Sequence, residues 1–80
     1  MKFFYSRTSV KYLQRLERDV AQKLVKAIEK LPAEGDIKKL KGKKVKNIFR
    51  LRIGRYRIIY ALEKKSIKII KVDTRGDVFK

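Results

Sequence analysis

The stretch FRLRIGRYRIIYAL, residues 49–62, decides the fold. Apolar and basic side chains alternate up to Gly54, the chain reverses at Gly54-Arg55, and a second β-rich run follows. Alternation of period two marks a half-buried strand, and a two-residue glycine-containing break marks a hairpin. Successive strand residues point to opposite faces. Phe49, Leu51 and Ile53 therefore share a side with Tyr56, Ile58, Tyr60 and Leu62. Arg50, Arg52 and Arg57 are expected together on the other.

Outward from this hairpin, SIKIIKVDT (66–74) supplies a third strand after the turn EKKS. Upstream, KFFYS (2–6) is short, aromatic and β-prone, an edge or central strand. Between them Val10, Leu13, Leu16, Val20, Leu24, Ala27, Ile28 and Leu31 recur in steps of three and four, the stripe of an amphipathic helix. Asp19 followed by Gln22 resembles a capping box and divides the stripe into helices over roughly 8–17 and 20–31. Pro32 and Gly35 stop the second. A membrane-surface helix is the competing use of such a stripe, but the strands need its apolar face as their cover. The segment 36–47 reads as a basic connector, a solvated loop or a phosphate-contacting rim. The expected architecture is α+β: an N-terminal strand, a two-helix hairpin, then a three-stranded antiparallel meander, with helices packed on one face of a single sheet. Eighty residues form one domain, 1–80.

Composition narrows the chemistry. There is no cysteine and no histidine, which removes disulfides, thiolate nucleophiles, Cys/His zinc sites and imidazole acid–base catalysis. MKFFYSRTSV lacks the apolar core of a signal peptide and no run reaches transmembrane length, so a cytosolic protein is expected. Against 24 Lys and Arg stand 8 Asp and Glu, a formal net charge of +16. Thermophile enrichment adds charge of both signs, whereas here one sign dominates, and the expected partners are polyanions. From Ile37 to Tyr60 there are ten basic residues and no acidic one. Like charges facing each other across strands are unfavourable, so the sequence implies an anion supplied from outside. Guanidinium groups bind phosphate bidentately and remain charged. A solvated positive face without a ligand is the plainer alternative, and it is preferred for Arg55 and the helix lysines.

The order of elements, together with LKG…FRLRIGRYRIIYAL…IIKVDTRGDVFK, resembles the RelE/ParE superfamily of type II toxins, close to its RelE branch, over essentially the whole chain. The resemblance implies a toxin that inhibits translation by cutting mRNA in the ribosomal A site. The 2′-hydroxyl attacks the adjacent phosphate without metal or organic cofactor. It also implies a cognate RelB-like antitoxin that covers the basic face. Residue by residue it places Arg50, Arg52, Arg57 and Arg75 in the catalytic set, and Phe79 where the family often has tyrosine. Lys41, Lys43, Lys44, Lys46 and Phe79 are the expected RNA-contacting residues. Arginines stabilise charge on phosphorus well but accept protons poorly. Acid–base work therefore falls to the ribosome or RNA, or to Lys46, or to Tyr60 if its hydroxyl reaches the edge; otherwise the chain is weakly active or inactive. Tyr56 and Tyr60 are placed in the core by strand parity. Two alternatives remain open: a ParE-like toxin that poisons DNA gyrase without cutting RNA, and a plain nucleic-acid-binding module.

Overall fold

The computed structural model describes residues 1–40 and 47–74. The elements run β1 (Lys2–Tyr5), α1 (Arg7–Arg15), α2 (Arg18–Glu29), β2 (Asp36–Lys39), β3 (Ile48–Ile53), β4 (Tyr56–Leu62) and β5 (Ser66–Thr74). They form a five-stranded mixed sheet in the order β1-β5-β4-β3-β2. The meander β3-β4-β5 is antiparallel, and β1 joins the outer edge of β5 in parallel. The α+β arrangement matches the expectation, with β1 at an edge.

One element differs. The first part of the basic connector is not a loop: Asp36–Lys39 is strand β2, paired antiparallel with β3. Ile37 is its one apolar side chain, too little to carry an alternation signal. Its strand character comes from the open hydrogen-bonding edge of β3.

Cross-strand rows explain the core. Ile37, Leu51, Ile58 and Val72 stand opposite one another on successive strands, and so do Phe49, Tyr60, Ile69 and Tyr5. These rows face the helices, whose Leu24, Ile28 and neighbouring Leu31 complete the buried cluster. Each fully buried Leu or Ile contributes about 1.5–3 kcal/mol. The hairpin between β3 and β4 turns at Gly54, whose φ of 58° suits the first central position of a tight turn.

On β5 the register slips between Ile59 and Tyr60 of its partner: Ile59 faces Lys71, whereas Tyr60 faces Ile69. Ile70 is the unpaired extra residue of a β-bulge, and it is exposed. The bulge keeps both Ile69 and Val72 on the helix side, which strict alternation would forbid. The start of α1 secures it. Ser6 Oγ donates to the Ile70 carbonyl at 2.7 Å, and the Ser6 N–H donates to the Ile69 carbonyl at 2.9 Å. Ser6 is also the α1 N-cap, accepting from the Ser9 N–H at 3.1 Å.

The capping box expected at Asp19 does not form. Glu17 is the N-cap of α2 and makes no side-chain cap bond; Asp19 lies inside the first turn. There its charge complements the helix dipole instead. The helix ends at Glu29, ahead of Pro32 and Gly35.

Candidate phosphate-binding face

The helices cover one side of the sheet; among the described residues no element packs on the other, and it carries the arginines. Arg52 of β3 stands directly opposite Arg57 of β4, and Arg50 lies two residues before Arg52 on the same side, opposite Ile59. The register thus brings together the three arginines that strand parity grouped.

They are not unpaired. The sequence expectation of a face without carboxylates is overturned by Asp36 and Asp73, each brought in by a strand flanking the β3–β4 hairpin. Asp36 is the partner of Arg52 across β2–β3, and Asp73 is the partner of Arg57 across β4–β5. A single row therefore reads Asp36, Arg52, Arg57, Asp73: two central cations flanked by two anions. The acids fall outside the acid-free window of the sequence, yet each sits sixteen residues from the arginine that it meets.

The two pairs differ in quality. Arg57 grips Asp73 with both Nε and Nη2, at 3.0 and 3.1 Å. Lys71 Nζ approaches the same carboxylate at 3.6 Å. The hydrogen bond to Asp73 holds the Arg57 guanidinium above its ordinary pKa, with burial acting the other way and the charge of Asp73 adding to the rise. Asp36 is looser. Its Oδ2 accepts from Arg52 Nε at 2.9 Å, while Arg50 Nη2 remains 3.7 Å from Oδ1. Both members of the Asp36–Arg52 pair are about half exposed, at 51% and 46%. Arg50 is much more enclosed, with 16% of its side chain exposed, and among the described residues its buried Nε has no hydrogen-bond partner.

The next row on this face is Lys38, Arg50, Ile59 and Lys71, three cations around an apolar centre. Lys38 and Lys71, like the two aspartates, escaped the sequence reading. Nothing in the sequence showed that β2 exists or that a bulge resets the parity of β5.

Tyr60 is not available to this face. It is 1% exposed, stacked on Phe49 with ring centroids 5.6 Å apart, and burial pushes its hydroxyl pKa up. Strand parity puts it on the helix side, which removes it as an acid–base substitute. Tyr56 likewise packs against the core, with the Arg55 guanidinium 5.8 Å above its ring; Arg55 is thus stacked rather than merely solvated. Lys41, Lys43, Lys44, Lys46, Arg75 and Phe79 lie outside the described residues. Among the described residues no three of His, Cys, Asp and Glu gather closely enough to hold a metal ion, and no helix is long and apolar enough to cross a membrane.

A family model described as the ParE toxin of type II toxin-antitoxin systems, parDE, matches residues 3–79. The chain belongs to this toxin family. Solved structures place it in the wider RelE/ParE superfamily, as its sequence led us to expect. It is similar to a chain of the RelB-RelE antitoxin-toxin complex from Methanococcus jannaschii, at 26% identity and a TM-score of 0.75, covering 95% of this chain and 94% of that one. It is equally similar to a chain of the archaeal RelE-RelB complex from Pyrococcus horikoshii OT3, at 28% identity and a TM-score of 0.76, covering 94% of both. The isolated Escherichia coli RelE toxin shares the fold at 20% identity and a TM-score of 0.74, over 98% of this chain and 89% of that one. No curated protein sequence matches the chain.

Proposed function

We propose that this type II toxin is an mRNA endonuclease that acts at the ribosomal A site and so inhibits translation. The observation carrying the reading is the juxtaposition of Arg52 and Arg57 with Arg50 beside them on the uncovered face. Such a trio suits the extra negative charge that phosphorus gains when a 2′-hydroxyl attacks it. In that step the 2′-oxygen bonds to phosphorus and the bond from phosphorus to the 5′-oxygen breaks. The products are a cyclic phosphate and a free 5′-hydroxyl. The 2′-proton leaves to a base, and the 5′-oxygen takes a proton from the ribosome, the RNA or water. Arg75, outside the described residues, is assigned to the same charge-stabilising set by the superfamily resemblance. Lys41, Lys43, Lys44, Lys46 and Phe79 are proposed RNA contacts on the same ground, and no cofactor is invoked. The ion pairs with Asp36 and Asp73 do not preclude this use, since partly exposed pairs are typically worth up to about 1 kcal/mol.

The partner proposed is a RelB-like antitoxin in the cytoplasm. Two relatives above 25% identity come from RelB-RelE complexes, and an acidic segment would complement a chain of charge +16.

A second reading has its own support. The matching family model is that of ParE toxins, and carboxylates already occupy Arg52 and Arg57. On that reading the toxin poisons DNA gyrase and cuts no RNA. Two assays separate them. Mapping 5′ ends of mRNA after induction should reveal new ends within translated codons, with supercoiling unaffected. Intact message with inhibited gyrase would reject the nuclease in favour of the second reading. Intact message with active gyrase and salt-sensitive RNA binding would leave only a binding module.

A further inference from the structure

Asp36 sits where an anion would sit. Its carboxylate lies within reach of two guanidinium groups on the open face, but it satisfies only one of them. Oδ2 has a good charge-assisted bond to Arg52 at 2.9 Å, whereas Oδ1 stops 3.7 Å from Arg50, outside hydrogen-bonding range. Tethered to the first residue of edge strand β2, the carboxylate cannot centre itself between the two arginines. Arg50 is itself enclosed, at 16% exposure, and among the described residues its buried Nε has no hydrogen-bond partner. A buried donor without an acceptor is unfavourable, and the residue opposite Arg50 on β2 is Lys38, a second cation.

We propose that Asp36 is a built-in competitor for phosphate, occupying the anion position shared by Arg50 and Arg52 in the free protein and yielding it to a phosphodiester of single-stranded RNA. The inference rests on the reading of this face as phosphate-binding, but not on cleavage or on the ribosome. An untethered phosphodiester has two non-bridging oxygens and is free to settle between the guanidinium groups, so it can serve Arg50 as well as Arg52. Asp73 does not share this role: it is less exposed, at 21%, and is held by both nitrogens of the Arg57 fork. The two acids of the row therefore do different things. Asp73 fixes Arg57 in place, and Asp36 holds the Arg52 side chain extended until an anion arrives. It also sets a threshold against weakly binding anions, because any ligand must first displace it.

The test is direct binding of a short single-stranded RNA to the purified full chain, followed by fluorescence anisotropy without ribosomes. Asp36→Asn keeps the size of the side chain and removes its charge. It should bind the RNA about two- to fivefold more tightly than the native chain, the fold-change that corresponds to one partly exposed ion pair. The gain should shrink as salt rises, because the competing charge is screened. Affinity equal to or weaker than that of the native chain at low salt overturns the proposal. A measurement on the native chain guards against a folding defect in the variant: RNA titration should shift the Arg52 Nε–H resonance as Asp36 releases it. An unmoved resonance at RNA saturation also overturns the proposal. A chain that binds RNA in this Asp36-dependent way but cuts no mRNA on ribosomes would reject the nuclease while leaving this inference standing.

Discussion

Replacing Arg57 by alanine separates the two jobs that this side chain could have. In the structure it forms a two-point ion pair with Asp73 and stands directly against Arg52. Loss of the pair, 31% and 21% exposed at its two ends, costs about 1 kcal/mol. Loss of the facing positive charge returns about 0.2–1 kcal/mol, because like charges opposite each other on adjacent strands repel. The net effect on stability is therefore about 0–0.8 kcal/mol, or a fall in Tm of at most about 6 °C for a domain of this size. For cleavage there is no such offset. Removing one preorganised group that meets developing charge lowers the rate by about 10²–10³, or about 2.7–4 kcal/mol. Single-turnover cleavage on programmed ribosomes, with thermal unfolding of the same preparation, measures both. A cleavage rate within threefold of the native chain would refute the catalytic role of Arg57. A Tm lower by more than about 10 °C would refute the cancellation and make Arg57 a structural residue.

Other expectations concern the scaffold. Gly35 has φ of 131°, and a Cβ there would meet Leu51 Cδ1 at 2.5 Å; Gly35→Ala should cost about 2–4 kcal/mol from backbone strain and overpacking, read as a Tm lowered by at least about 8 °C. Tyr60 has a folded-state pKa raised by burial, so its contribution is complete below about pH 10 and is lost as pH climbs through the folded value. Denaturant titrations from pH 9 to 11 should show a shallower alkaline loss of stability in Tyr60→Phe than in the native chain; equal slopes would argue that Tyr60 does not titrate with unfolding.

How much of this was legible beforehand follows from the range of each signal. The helix stripe and the alternation across 48–53 and 55–62 are local patterns, and both elements appear where the patterns place them. The grouping of Arg50, Arg52 and Arg57 needed only strand parity and one tight turn. Asp36 was misjudged because β2 has a single apolar residue, so its pairing depends on the edge of β3 rather than on its own sequence. Asp73 was missed because a bulge intervenes between it and any parity count begun at Ile67. Asp19 looked like a cap because capping boxes are spelled by residue type alone, whereas the helix begins at Arg18. The error about carboxylates was thus an unread edge strand in the case of Asp36 and a shifted strand phase in the case of Asp73.

The bulge at Ile70 has a consequence for how the charged row could be altered over generations. Counted as an unbroken strand from Ile69, the chain would turn Lys71 and Asp73 inward among apolar side chains and push Val72 into water. One surplus residue, pinned by Ser6, resets that phase. The counter-ion of Arg57 is therefore governed by chain length as much as by residue identity. A variant that ironed out this kink while keeping every residue would strip Arg57 of its acid without any change in net charge.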